Sequence, residues 1–534
     1  MQKLVLLGDE AIAQGAIDAG LSGIYAYPGT PSTEITEYVQ RSKKANELGI
    51  HSQWSANEKT AMEAAIGMSY AGKRAMVCMK HVGLNVAADP FINSAITGAN
   101  GGLIIVSADD PSMHSSQNEQ DSRFLGKFAM LPILEPSNQQ EAYDMVHYGF
   151  DLSEKLKVPV LMRITTRMAH SRSVIERNTE VRQQNKINIP EDSHQFILLP
   201  AIARKRYKKL LQDQVIFEKE SADSGFNKYF DGKDKSIGII TSGIAYNYVM
   251  ENYPERIIPY PLLKITQYPL PERMILKMYE ECSELIVIEE GYPLIEENLK
   301  GFLELGIKIK GRLDGTLPRD GELNPNIVGI ALGFKDQKGP EIPEIVAQRP
   351  PALCNGCPHI DSFEALNEAM SKYSAGRVFS DIGCYTLSAL PPLKAIYSCV
   401  DMGASITMAK GASDAGLIPS VGVIGDSTFT HSGITGLLDC VNEKTPVTII
   451  ILDNSTTGMT GGQPSAATGK IENICKGLGV EEEHIRIIKP LKNKTEENIR
   501  IINEELEYNG VSVIIPTREC VQTLNKRMRE KLKK

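Results

Sequence analysis

Two short polar runs in the last third of the chain carry the residue types of a divalent-cation site. Gly425-Asp426-Ser427 follows the apolar run Val421–Ile424, and Asp453-Asn454-Ser455-Thr456 follows the apolar run Val447–Leu452. One carboxylate, one amide oxygen and a nearby backbone carbonyl are hard oxygen donors of the kind Mg²⁺ takes when it shares its coordination with a diphosphate. Gly425 allows close backbone approach. The same residues also read as two ordinary strand-end turns, because Gly-Asp and Asp-Asn pairs are common in turns. A second constellation is made of thiols. Leu353-Cys354-Asn355-Gly356-Cys357-Pro358 is a CxxC, Cys384 lies in Asp381-Ile382-Gly383-Cys384-Tyr385, and Cys520 follows the apolar run Val511–Ile515. By count, four thiolates suit zinc or an iron–sulfur cluster equally well. A thioredoxin-like redox pair fits less well, since no clear strand precedes the CxxC and Pro358-His359 follows it. Of nine cysteines only Cys78 and Cys282 precede residue 350. In a reducing compartment that bunching points to metal or redox work rather than a disulfide frame. Cys78, Cys399, Cys440 and Cys475 fall in helical or strand patterns and Cys282 near a helix end, and all five are expected to be small buried hydrophobes.

A third group lies near the N-terminus. Tyr27-Pro28-Gly29-Thr30-Pro31-Ser32 closes a strand and opens a helix, which presents Thr30 at the strand end and puts Pro31 near the first helical position. Glu58 follows Asn57, a helix N-cap candidate, and Met79-Lys80-His81-Val82-Gly83-Leu84-Asn85 follows another apolar run. The polar loop Ala108–Asp121 carries His114 and Asn118, and long loops at strand ends are often functional. Each of these also has an ordinary reading: Glu58 favours a helix N-terminus through the helix dipole, and a lone histidine is more often structural than catalytic. His81, His114, Asn118, His359 and His431 are therefore only possible substrate or CoA contacts.

Such residues need parallel strands to present them. Short apolar runs alternate with longer helical patterns in three segments, the signature of α/β layers. In the first, Gly23–Tyr27, Ala75–Met79, Leu103–Val106 and Val158–Met162 read as strands, with helices over Asn57–Tyr70 and Asn138–Leu156. The charge-dense stretch Arg172–Lys235 reads as a linker with an irregular helix or two. A smaller unit over residues 236–312 has strands Ser236–Thr241, Leu285–Glu289 and Ile307–Lys310, and a Gly- and Pro-rich linker follows, ending in Arg349-Pro350-Pro351. The expected boundaries are thus 1–190, a linker over 191–235, 236–312, a linker over 313–349, and 350–534. Open α/β sheets bind ligands at the carboxyl ends of their strands, which is where Asp426 and Asn454 fall.

The 534 residues suggest about three domains. With 42% hydrophobic and 23% charged residues the chain is an ordinary globular sequence. Its 58 Lys+Arg against 66 Asp+Glu give a net charge of −8, which argues against nucleic acid as a partner. The basic tail Lys526–Lys534 reads as a solvated helix end. No run approaches the roughly 20 apolar residues of a membrane span, and the first residues lack a signal peptide's apolar stretch, so a cytoplasmic location is expected.

Taken together, these motifs closely resemble the alpha subunits of indolepyruvate:ferredoxin oxidoreductases, thiamine diphosphate-dependent enzymes of 2-oxoacids. The densest stretches are Tyr27–Ser32, Asn57–Ala71, Met79–Pro90, Asp109–Asp121, Arg349–His359, Asp381–Pro392, Gly425–Gly436 and Asp453–Gln463. The resemblance implies a thiamine diphosphate-binding fold: a pyrimidine domain first, a transketolase C-terminal-like domain between, and a diphosphate domain last. It implies that Glu58 contacts N1′ of the aminopyrimidine and that Thr30 faces the substrate. Asp426, Asn454 and the Thr456 carbonyl take the Mg²⁺-ligand positions, Gly425, Ser427, Gly458 and Thr460 line the cofactor, and Cys354, Cys357, Cys384 and Cys520 hold a [4Fe–4S] cluster. Two departures stand out: Ser427 replaces the glycine of the diphosphate signature, and Met459 stands where relatives often carry Asn. The ferredoxin-like CxxCxxCxxxCP repeat in which such subunits usually end is also missing from this sequence.

The implied activity is oxidative decarboxylation of aryl 2-oxoacids to acyl-CoA and CO₂, with CoA as co-substrate and ferredoxin as electron acceptor. The implied partner is a small (beta) subunit of about 200 residues, in a heterotetramer. The competing function is a non-oxidative thiamine diphosphate-dependent decarboxylase whose cysteines hold zinc or nothing. A non-catalytic subunit is disfavoured by the joint presence of Glu58, Asp426 and Asn454. A cluster is preferred to zinc because an oxidase needs an electron exit and zinc has no redox chemistry.

Overall fold

The computed structural model describes residues 2–532 except 193, 302–305, 337, 338, 340 and 348–350. The expected linker end at Arg349-Pro350 lies outside the described residues. The chain divides into two compact units, Met1–Pro340 and Glu341–Lys534.

In the first unit a seven-stranded sheet runs in the order Gln267–Tyr268, Ile133–Leu134, Val160–Thr165, Leu103–Asp109, Ala75–Lys80, Gly23–Ala26, His51–Trp54. All neighbours are parallel except the short edge strand Gln267–Tyr268. Ala75–Lys80 and Leu103–Asp109 are buried along their whole length, as strands covered on both faces must be. The helices Glu58–Tyr70 and Gln139–Leu156 begin at the expected caps, with the Asn57 and Asn138 side chains accepting from Thr60 N and Glu141 N.

The segment 236–312 does not stand apart as a third unit. Its strands Lys308–Lys310, Glu284–Ile288, Gly238–Ser242 and Leu262–Ile265 form a parallel sheet edged by the antiparallel strand Lys228–Phe230. The chain then crosses at Thr266 from this sheet into the seven-stranded one, where Gln267 and Tyr268 pair with Leu134 and Ile133. Residues of both sheets share two apolar cores. The stretch Arg172–Lys235 also differs from a linker. Arg172–Arg177 is a strand paired antiparallel with Gln2–Leu7, and Pro200–Asp223 is one 24-residue helix burying Leu210, Phe217 and Ser221. Few apolar residues are buried in either element, so their hydrophobic patterns are faint.

The second unit has one fully parallel sheet in the order Ser398–Cys399, Arg377–Ser380, Ser420–Gly425, Val447–Leu452, Val511–Pro516, Ile485–Ile488. Helices including Pro358–Met370, Ala404–Asp414, Ile434–Glu443 and Thr495–Glu507 cover it, with an apolar core on each face. No helix among the described residues is long and apolar enough to cross a membrane.

Candidate active-site edges

Four adjacent strands of the second unit end side by side. Arg377–Ser380 leads to Asp381 and Cys384, Ser420–Gly425 to Asp426, Val447–Leu452 to Asn454, and Val511–Pro516 to Cys520. Parallel order alone therefore gathers residues from far apart in sequence at one carboxyl edge. A Cβ at Gly425 would stand 2.7 Å from the Tyr385 ring, so the turn needs glycine. Asp426 is buried, and its Oδ1 accepts from Ser427 N at 2.7 Å. Its Oδ2 is buried with no hydrogen-bond donor. Burial, with Asp453 adding to it, pushes the carboxyl up to about 7 against the pull of the Ser427 N–H. An orphaned carboxylate oxygen of this kind fits a cation ligand.

Asn454 accepts from Thr456 N at 3.1 Å, and its amide lies 3.2 Å from His359 Nε2. Burial, with Arg518 nearby, pushes His359 down to about 4, so its neutral ring orients the Asn454 amide. Thr456 pairs with Pro464 in a two-residue ladder, its hydroxyl bonded to Gln463 O at 3.0 Å. Ser427 and Thr457 hydroxyls meet at 2.8 Å, and Thr460 bonds Gln463 Oε1 at 2.6 Å. Met459 is exposed, and His431 is buried beside Ser432.

The four expected cysteines converge on this edge. Cys357 N donates to Cys354 O at 3.0 Å, closing the CxxC turn, and Cys357 caps the helix whose first residue is Pro358. Cys520 N donates to Asn454 O at 3.2 Å, tying the fourth thiol to the loop of Asn454. Gly458 stands so close to Cys384 that an added Cβ would lie 3.2 Å from Sγ. Burial, then Cys357, Cys520 and Cys354 in that order, push the Cys384 thiol up to about 12. Four thiols sharing one site resist ionising together, and a bound cationic centre would relieve that (soft thiolates take zinc or iron–sulfur groups). A cavity of about 440 Å³ opens beside them, lined by Gly458, Gly462, Cys520, Gln522, Lys526 and Arg529. Of the other five cysteines, Cys78, Cys282, Cys440 and Cys475 are buried as expected. Cys399 is not: it is exposed on the short edge strand, its Sγ 3.7 Å from Asp381 O.

The first unit has a carboxyl edge of its own. Glu58 opens its helix and is 5% exposed, and a Cβ at Gly83 would meet its Oε1 at 2.5 Å, so glycine makes room for this carboxylate. Thr30 lies after the next strand, with its carbonyl 3.5 Å from Ser115 Oγ. His81 is buried, its Nε2 at 3.2 Å from Asn118 Oδ1. His114 instead points to Glu322 at 3.5 Å with half its side chain exposed. Lys80 was not singled out from sequence, although it ends its strand beside His81. It is buried, and its Nζ donates to Ser115 O at 2.6 Å and Ser115 Oγ at 3.2 Å. Burial pulls it down to about 8, against the attraction of Asp110.

Comparison with known proteins agrees with this layout. Residues 14–207 match the family model for the thiamine diphosphate-binding part of pyruvate flavodoxin/ferredoxin oxidoreductases, and residues 381–514 match the C-terminal binding domain of thiamine pyrophosphate enzymes. The indolepyruvate oxidoreductase subunit IorA of Archaeoglobus fulgidus is 39% identical, over 97% of this chain and 86% of its own. That of Pyrococcus abyssi is 37% identical over the same shares. A solved 2-oxoglutarate:ferredoxin oxidoreductase from Magnetococcus marinus shares the fold, with a TM-score of 0.50 at 16% identity, over 62% of this chain and 64% of its own.

Proposed function

The chain belongs to the family of indolepyruvate oxidoreductase IorA subunits, and from that premise we propose that it oxidatively decarboxylates aryl 2-oxoacids to acyl-CoA and CO₂, passing electrons to ferredoxin. The supporting observation is the second unit's carboxyl edge, where an oxygen site with an orphaned carboxylate adjoins four thiols through the Cys520–Asn454 bond. Asp426, Asn454 and the Thr456 carbonyl would hold Mg²⁺ and, through it, the diphosphate. Thiamine diphosphate, when bound, supplies the electron sink that lets CO₂ leave a 2-oxoacid. Glu58 would hold a proton at N1′ of the aminopyrimidine, and Gly83 keeps space open for it. Thr30 would face the substrate, with Asn118 orienting His81 beside it.

Cys354, Cys357, Cys384 and Cys520 would hold a [4Fe–4S] cluster. The subunit naming of the relatives supports a partner chain, which we take to be a small subunit in a heterotetramer. Per turnover, one 2-oxoacid anion and one CoA thiol give one acyl-CoA, one CO₂, one proton and two electrons. The test is arylpyruvate turnover by the anaerobic complex, with CoA and a viologen acceptor. Aryl-acetyl-CoA with reduced viologen is expected. An aldehyde without viologen reduction would assign the chain to the non-oxidative decarboxylases.

A further inference from the structure

We propose that Asp9, Glu34 and His170 form a binding site for a divalent first-row transition-metal ion, in addition to the Mg²⁺ and thiol sites. The three come from three elements: the first turn of helix Gly8–Asp18, the first turn of helix Thr33–Arg41, and the end of helix Thr166–His170. One ligand atom from each lies within 4.8 Å of the others. Asp9 is 0% exposed, and neither of its carboxylate oxygens has a hydrogen-bond donor. Glu34 Oε2 is likewise buried without one, and Glu34 Oε1 lies 3.6 Å from His170 Nε2.

A buried carboxylate without donors is strongly disfavoured unless a cation or a proton joins it. A proton on Asp9 could bridge to Glu34, but it would satisfy only one of the two Asp9 oxygens. An ion between the three side chains satisfies both acids and fixes the imidazole. Donor atoms around an ion held at about 2.1 Å stand roughly 3–4 Å apart, so small side-chain rotations close the site. Two carboxylates with one imidazole favour ions of the manganese, iron or zinc kind over Mg²⁺ and Ca²⁺, which take oxygens. Glu34 and His170 keep about a third of their side chains exposed (33% and 35%), which leaves water a path to complete the coordination. The ion would pin the start of helix Thr33–Arg41, directly after the loop that carries Thr30.

Mn²⁺ is the probe, because thiolates take it poorly. The holoenzyme complex, saturated with Mg²⁺ and thiamine diphosphate, is titrated with Mn²⁺ while free Mn²⁺ is read by EPR. The wild type is expected to hold one more Mn²⁺ per chain than His170→Ala or Asp9→Asn, and its unfolding midpoint to rise with Mn²⁺ where theirs does not. The partly exposed His170 can be removed without opening a core cavity, so its variant remains interpretable if Asp9→Asn does not fold. Equal Mn²⁺ uptake by wild type and His170→Ala overturns the site and leaves Asp9 and Glu34 as a proton-sharing pair.

Discussion

Buried charge is handled in opposite ways by the arginine network of the first unit and the carboxyl edge of the second. In the first, Arg123 and Arg163 are fully buried among Asp109, Asp121, Glu135 and Glu289. Burial alone would raise the Asp121 carboxyl, and the two guanidiniums more than reverse that, to about 2. Glu289 also accepts from Ile295 N and Glu296 N at 3.0 Å, and Arg163 reaches Glu290 O at 2.9 Å. Every charge of this network has partners, and the partners join the two sheets. At the second edge, Asp426 keeps an oxygen with none. A satisfied buried ion is architecture, whereas an unsatisfied one marks the place of something the chain binds.

The largest expected effect is on chemistry. Glu58→Ala should lower turnover by about 10²–10⁴-fold at saturating thiamine diphosphate, the range of proton-transfer assistance, with unchanged circular dichroism. Near-normal activity would remove Glu58 from the reaction.

The contrast itself breaks on a paired substitution. Asp121→Asn withdraws a charge from two buried guanidiniums and should destabilise the chain by about 3–5 kcal/mol in denaturant unfolding. Asp426→Asn in the cofactor-free protein should leave stability unchanged or raise it, while Mg²⁺-dependent affinity for thiamine diphosphate falls in calorimetry. If both variants lost stability alike, the orphaned oxygen would carry no functional meaning. Cys520→Ser sharpens the same edge: iron and sulfide per chain and the reduced EPR signal should be lost, whereas Cys399→Ser should keep them. Zinc without iron in the wild type would move the thiols to a structural role.

The second edge was legible because parallel strands write their ends into sequence. The largely apolar runs Val421–Ile424 and Val447–Leu452 announce a buried parallel sheet, and the polar residue after each is then a ligand candidate. Glu58 was legible through its Asn57 cap. The ion network was not, since Arg123 and Glu289 come from distant segments with no periodicity to join them. Asp9, Glu34 and His170 share no motif for the same reason. Crossing at Thr266 hid the union of the two sheets, because Gln267–Tyr268 is only two residues long.

The smallest effect concerns Lys80, a buried cation at the first unit's carboxyl edge. Its ammonium has two acceptors on Ser115, and Asp110 attracts it. Asp110 itself accepts from Ser115 N at 2.8 Å, Ser116 Oγ at 2.5 Å and Thr166 Oγ1 at 2.7 Å. Burial has lowered Lys80 to about 8 from the 10.5 of a free lysine. Between pH 8 and 10.5 the unfolded chain binds more protons than the folded one, so this group makes stability rise with pH across that window. Lys80 contacts Ser115, whose hydroxyl reaches Thr30 O, so a substrate carboxylate facing Thr30 would pair with its charged ammonium, and that pairing has the opposite sign. KM for the 2-oxoacid should therefore climb as pH passes about 8, by up to tenfold per pH unit, with kcat nearly constant. In Lys80→Arg, whose guanidinium stays charged, the climb should vanish. A wild-type KM that stays flat to pH 9.5 would place Lys80 with the structural ions, as a strut between the Ser115 loop and its strand.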